Sequence, residues 1–340
     1  MEKISLLQSS STSSFSGRKG AFVVIIKLII LFLALQLFFW FVMLPQYDDN
    51  YQAAAIDKIN RLNSIDEPKI ILVGDSNVAF GFRSYIIEDE TGMPVVNLGM
   101  HGGLPDWFHE EMCKSNINEG DIVVLCHSRY LEGQHMSPLG ASLAWITLEN
   151  HFDLWRLIRK GNWSDMADAF TTYVKKSSRL FFDKPFKAIF ERNDEEDGPS
   201  GYSRAAFNKY GDNVHADTYW TPPYSFASDF MAKPGQIDDA AIARINKLNE
   251  YVTAHGGRLV ISHYPIAISE NNPADEEAFE AYQQELIDKF DGDVISDFSD
   301  YYFDFEEFYD TDLHLGKDGA QRRSMQLATD IRKYLAEMGR

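Results

Sequence analysis

With 51 acidic against 32 basic side chains, this chain of 340 residues carries a formal charge of −19. That balance argues against nucleic-acid binding by phosphate neutralisation and against docking of the folded part on an anionic lipid surface. Apolar residues make up 45% and aromatics 14%, enough to bury the core of one large domain or of one domain with a sizeable insertion.

Residues 1–20 are serine-rich, with Ser9, Ser10, Ser11, Ser13, Ser14 and Ser16, and read as a disordered tail. Residues 21–44 are almost entirely apolar and long enough to cross a bilayer as a helix. Lys27 can snorkel toward the headgroups at one end, and Trp40 stands near the other, where interfacial aromatics gather. Arg18 and Lys19 precede the span and Asp48 and Asp49 follow it. The positive-inside tendency therefore places the N-terminus in the cytoplasm and the rest outside it. A cleaved signal peptide is the rival reading. Its apolar core is normally shorter, and the nearest small-residue run, Ala53 to Ala55, lies well beyond the span. A single-pass signal anchor is expected, followed by a juxtamembrane linker over 45–68 with a helix-like stretch from Tyr51 to Leu62.

From residue 69 the pattern alternates. The β-branched run from Ile70 to Val73 predicts a strand, and a helix is predicted over 78–90. Val95 to Leu98 reads as a second strand, followed by the glycine-rich turn Gly99-Met-His-Gly-Gly103. A helix over 106–116 starts after Pro105, and Asp121 to Cys126 is a third, continuously apolar strand of the kind buried in parallel sheets. Residues 131–235 interrupt the alternation as a helical insertion or lid. They hold Trp145, Trp155, Trp163, a charged run from Glu191 to Asp197 and the segment Tyr219 to Tyr224. Asn162-Trp-Ser164 fits a glycosylation acceptor, meaningful in a eukaryotic secretory setting. Ile242, Ile245, Leu248 and Val252 then keep helical spacing up to His255-Gly-Gly257. Arg258 to Ser262 is a strand, 276–290 a helix, Val294-Ile295 a further strand and 317–338 a closing helix. This order predicts an α/β fold, a three-layer sandwich with a mostly parallel sheet. Cys113 in mid-helix and Cys126 at the far end of the next strand fall at different heights, so two buried thiols are expected rather than a disulfide. Neither has zinc-site spacing.

The chemistry concentrates at Gly74-Asp-Ser-Asn77 and at Asp310-Thr-Asp-Leu-His314. Ser76 follows a strand and opens a helix, where free N–H groups stabilise negative charge. A serine there is often only a helix cap, but the position also suits a nucleophile whose own N–H helps to hold an oxyanion. Asp75 is expected to support the turn. His314 has Asp310 and Asp312 four and two residues before it, and either carboxylate can fix the imidazole tautomer. The spacing alone leaves the choice open. The glycines from Gly99 to Gly103 lack dinucleotide-binding spacing. His101 and His109 read as loop and helix-surface histidines. Tyr202 to Asp212 can line a carbohydrate groove or simply pack the insertion on the core.

Gly74-Asp-Ser-Asn77, Asn97-Leu-Gly-Met-His-Gly102 and Asp310-Thr-Asp-Leu-His314 resemble the first, second and last signature blocks of the SGNH/GDSL hydrolases. The resemblance covers roughly residues 69–130 and 240–335. It implies Ser76 as nucleophile, His314 as base, and the N–H groups of Ser76 and Gly102 as oxyanion donors. The apolar anchor and the long acid-to-histidine spacing are similar to anchored members near the D-alanine-transfer and alginate-acetylation proteins, which implies Asp310 as the acid with Asp312 as alternative. The usual third block, with its asparagine donor, is missing. After the third strand the chain reads Cys126-His-Ser-Arg-Tyr130, so the third donor is His127, Ser128, Arg129 or none.

The expectation is an SGNH-like domain over 69–340 with an insertion over 131–235, held on the extracytoplasmic side by one helix. Its reaction would be serine ester hydrolysis or O-acyl transfer on acyl groups, acetyl foremost, of an exported or cell-surface polysaccharide. An integral-membrane acyl donor is an expected partner. No metal, cofactor or nucleic acid is implied. The rivals are a catalytically degenerate protein of this fold that binds polysaccharide or serves assembly, and a membrane-complex role carried by the apolar span.

Overall fold

The computed structural model describes residues 12–126, 137–149, 163–190, 200–219 and 233–339. It divides into two units, residues 1–46 with 174–191 and residues 47–173 with 192–340. In the first unit, α1 (Thr12–Phe38) continues as a π-turn over Phe39–Met43. Gly20–Met43 is long and apolar enough to cross a bilayer, and its side chains stand open, with Phe32 60% exposed. Phe38 meets Phe181 edge to face at 5.7 Å between centroids. Residues 12–20, expected as tail, are helical. Once a helix is nucleated, each added residue gains a hydrogen bond at little further cost.

In the second unit a 3-10 turn (Tyr51–Ala53) leads into α2 (Ala54–Asn63), β1 (Ile70–Val73), α3 (Ser76–Gly81), α4 (Ser84–Thr91) and β2 (Val95–Asn97). Then come α5 (Asp106–Cys113), β3 (Ile122–Leu125), α6 (Pro138–Leu148) and α7 (Trp163–Phe190), the last part of which belongs to the first unit. The chain ends through α8 (Asp239–Ala254), β4 (Arg258–Ile261), β5 (Ile266–Ile268), α9 (Glu276–Lys289), β6 (Asp293–Val294), β7 (Tyr302–Asp304) and α10 (Lys317–Glu337). Five strands form one parallel sheet in the order β2-β1-β3-β4-β6, with Ile71 opposite Val96 and Val123, and Val123 opposite Leu259. β5 and β7 pair separately, also in parallel.

Side chains alternate across the strands, so each strand feeds two cores. Ile71, Val73, Val123, Leu125 and Leu259 pack with Ile59 of α2, Phe108 of α5, Leu248 of α8 and Phe279 of α9. Ile70, Leu72, Ile122, Val124 and Val260 face the other way, against Val78 of α3, Ile87 of α4 and Leu327 and Ile331 of α10. Burial on both faces explains why the central strands read as unbroken apolar runs. The chain leaves β1 toward β2 and then returns past β1 to β3. Sheets of this order accept ligands in the crevice at the carboxyl ends of those two strands.

Some expectations need correction. The single helix expected over 78–90 is two, because the backbone turns extended at Phe82. There the Arg83 guanidinium donates to the Phe80 and Phe82 carbonyls. The strands β5 and β7 are three residues each and carry no periodicity to read. The stretch 47–63 packs into the fold, with Tyr51, Ile59 and Leu62 buried. Cys113 and Cys126 are buried thiols not joined in a disulfide, as expected, and Cys113 Sγ donates to the Glu110 carbonyl at 3.0 Å. His109 is fully buried rather than on a helix surface.

Candidate active site

β1 ends at Val73 and is followed by Gly74, where an added Cβ would meet the Cys126 carbonyl oxygen at 2.5 Å. Glycine lets β1 and β3 run out side by side at that point. Asp75 caps α3, its Oδ1 accepting from the Asn77 N–H at 2.8 Å and from Asn77 Nδ2 at 2.6 Å. Its carboxylate thus shapes the turn, as expected. Between Lys69 and Ser84 every residue is buried except Ser76, which is partly open. Ser76 is thus the residue of this run that solvent reaches.

Gly102 lies across from the serine. A Cβ on it would stand 3.8 Å from Ser76 Oγ, which places the 102 backbone beside the hydroxyl. The turn is held by Asn97, whose Nδ2 donates to the Val78 carbonyl and to Asp212 at 2.9 Å each, and whose Oδ1 accepts from the Gly99 N–H at 2.8 Å.

Asp310 and His314 come from a tight loop before α10. It is closed by the Phe308–Leu315 bridge and by Tyr309 N–H donating to the His314 carbonyl at 2.7 Å. His314 Nδ1 and Asp310 Oδ1 are 2.7 Å apart. A carboxylate accepts, so this nitrogen carries the proton and Nε2 is left to take one. The imidazole stacks on Phe80, with centroids 4.1 Å apart and planes 12° apart. Phe80 and Ser76 are four residues apart on α3 and share one face of it. One short helix therefore carries both the serine and the surface on which the histidine rests. No hydrogen bond joins Ser76 Oγ to His314 among the described residues; catalytic pairs commonly close only around substrate. Of the two candidate acids, the structure joins Asp310 to the imidazole. Asp312 is buried in the same loop, two residues before His314.

Burial pushes the Asp310 carboxyl upward, but the hydrogen bond and charge of His314 and the bond from Tyr202 outweigh it. The group is held below its ordinary value. His101 stands edge-on to Tyr51 at 6.1 Å, and burial, reinforced by His314, lowers its pKa.

Tyr202, expected to line a groove or pack the insertion, and Arg323, not singled out at all, both enter the site through partners that the sequence did not show. Tyr202 Oη donates to Asp310 Oδ2 at 2.5 Å. Arg323 of α10 is fully buried; it donates to the Asn77 carbonyl at 2.9 Å, to Asn77 Oδ1 at 3.0 Å and to the His263 carbonyl at 2.8 Å. It fastens the serine turn to the end of β4. Ser128, with His127 and Arg129, lies outside the described residues, as do Trp155, Asn162, the run 191–197 and residues 220–224. Among the described residues no group of three or more His, Cys, Asp or Glu is arranged to hold a metal ion. No family model matches the chain, and no match to a curated protein or to a solved structure was found.

Proposed function

We propose that this chain is a membrane-anchored serine ester hydrolase or O-acyltransferase with an SGNH-like domain. The observation that supports it most is the convergence of three separate segments at the carboxyl end of β1. Half-open Ser76 faces the Gly102 backbone, and the Asp310–His314 pair is stacked on the serine's own helix. In this reading His314 Nε2 takes the Ser76 proton as Oγ attacks the ester carbonyl. The N–H groups of Ser76 and Gly102 hold the oxyanion. The imidazolium returns the proton to the departing alkoxide, leaving an acyl-serine. Water or a sugar hydroxyl then attacks, again giving its proton to His314, and Ser76 is released. Asp310 holds the imidazole tautomer throughout.

The substrate we infer is an acyl ester, foremost acetyl, of an exported or cell-surface polysaccharide, and the domain works on the extracytoplasmic side. A membrane-embedded acyl donor fits the transfer arm of the reaction. The resemblance of three sequence blocks to anchored polysaccharide-modifying hydrolases supports this part of the reading. The test is p-nitrophenyl acetate hydrolysis by the detergent-solubilised chain, beside Ser76→Ala and His314→Ala. Loss of at least about a hundredfold in both is expected. Turnover that survives either change sinks the proposal. A folded wild type with neither turnover nor labelling by a serine-reactive probe favours a binding or assembly role.

A further inference from the structure

The acid of the pair is shared. Asp310 gives Oδ1 to His314 Nδ1 at 2.7 Å and Oδ2 to Tyr202 Oη at 2.5 Å, and the phenol lies 3.4 Å from the same imidazole nitrogen. Asp310 and His314 are buried, whereas Tyr202 is 42% exposed. A surface tyrosine that spends its hydroxyl on a buried carboxylate does little for the core. Its ring leans on Tyr51 at 6.0 Å and on Phe80 at 5.8 Å.

The backbone around Tyr202 is bolted to the stretch that follows the apolar helix in sequence. Ser203 forms an antiparallel bridge with Asn50. Arg204 N–H donates to the Asp49 carbonyl at 3.0 Å, and the Arg204 guanidinium grips Asp57 with two bonds of 2.7 and 2.8 Å. The other titratable groups around the pair are Tyr51 from the 3-10 turn, Asp75 before α3, His101 from the β2–α5 turn, and Tyr309 and Asp312 from the histidine's own loop. Among the described side chains, Tyr202 and His314 are the two that hydrogen-bond the Asp310 carboxylate.

We propose that Tyr202 is a positioning residue of the triad, which fixes Asp310 and sets how much of its charge reaches His314, and that residues 49–57 hold Tyr202 there. This rests on the reading of Ser76, His314 and Asp310 as a triad. A carboxylate that accepts from two donors spreads its charge over both. Removing the phenol oxygen concentrates that charge on the imidazole. The imidazolium becomes more stable and the carboxylate freer to turn.

The test uses the full chain in detergent, with histidine-labelled protein titrated by NMR and the His314 signal assigned by its loss in His314→Ala. Tyr202→Phe keeps the ring and its contacts, and its melting curve checks the fold. We expect the His314 midpoint to rise by about half a pH unit. The acid limb of kcat/KM for p-nitrophenyl acetate should move up equally. kcat should fall by about three- to tenfold, a small part of what a positioned proton transfer contributes, with KM within about twofold of wild type. Arg204→Ala should move the midpoint in the same direction by less. A Tyr202→Phe midpoint and acid limb that coincide with wild type overturn the proposal, as does a raised KM with kcat intact, which would make Tyr202 a substrate contact. A wild-type midpoint in Arg204→Ala removes the part assigned to residues 49–57. The titration needs no turnover. An inactive chain with a shifted midpoint would therefore fail the esterase reading while keeping the Tyr202–Asp310 link.

Discussion

Two glycines beside Ser76 separate what the fold needs from what the proposed chemistry needs. At Gly74 a methyl group would press on the Cys126 carbonyl oxygen at 2.5 Å, backbone that cannot swing away. At Gly102 the same methyl would meet nothing closer than 3.7 Å, while standing 3.8 Å from Ser76 Oγ. Gly74→Ala is therefore expected to cost about 1–3 kcal/mol of stability through overpacking. Gly102→Ala should melt as wild type does but lose about tenfold or more in kcat/KM, because the methyl crowds the space a tetrahedral intermediate needs. Chemical unfolding and ester hydrolysis of the two variants check this, and equal effects on both readouts would count against it. The residues at the centre of the candidate site were legible as candidates because each sits in a local pattern: strand, glycine and helix start for Ser76, an acid four residues before a histidine for His314. Tyr202 and Arg323 were not, since they act on partners far along the chain, where neither period nor spacing links them.

At the level of elements, α2 and the segment 200–219 are locked together by a buried lysine. Lys58 Nζ donates to the Asn97 carbonyl at 3.0 Å and to the Gly211 carbonyl at 2.5 Å, and lies 4.5 Å over the Phe207 ring. Burial pushes its pKa down to about 7, against the pull of Asp212 and Asp57. In the unfolded chain the amine keeps its proton to about pH 10.4. Between those values the unfolded state binds more protons, so this group adds stability as pH rises. Lys58→Met removes that slope and strips a donor from two buried carbonyls, each worth about 1–3 kcal/mol when orphaned. Wild type should thus gain in melting temperature relative to Lys58→Met from about pH 7 to about pH 10; parallel curves would contradict the assignment. The central strands were legible because a run such as Ile122 to Leu125 has few other uses. The break between α3 and α4 was not, because it depends on where the Arg83 side chain folds back.

For the whole molecule, the boundary of the folded part falls earlier than the alternating pattern suggests. Tyr51, Ala54, Ala55, Ile59 and Leu62 are each no more than 3% exposed, and Tyr51 leans on Phe80 and Tyr202 beside the acid. A chain beginning at residue 47 is expected to unfold cooperatively. One beginning at residue 69 loses these core side chains and should aggregate or melt without a defined transition, since each large apolar group removed costs about 2–5 kcal/mol. Differential scanning calorimetry of the two fragments decides it, and a cooperative transition in the shorter one would refute the assignment. The parallel α/β architecture was readable as a whole, because helical and strand periods alternate along most of the second unit. The extent of the core was not, because a short amphipathic helix after an apolar span looks the same whether it packs or merely links.

The parts of the site are also ordered in time. Chains emerge from the ribosome N-terminus first. The apolar helix and residues 49–57 come first, then Ser76, then the Gly102 turn, then Tyr202, and only near the end Asp310 and His314. In the reading proposed, a nascent chain thus presents its hydroxyl long before its base exists. Ester chemistry at the membrane, in the reading proposed, begins only when synthesis is nearly complete. In that reading, a product that stops before residue 310 would carry Ser76 without its acid and base.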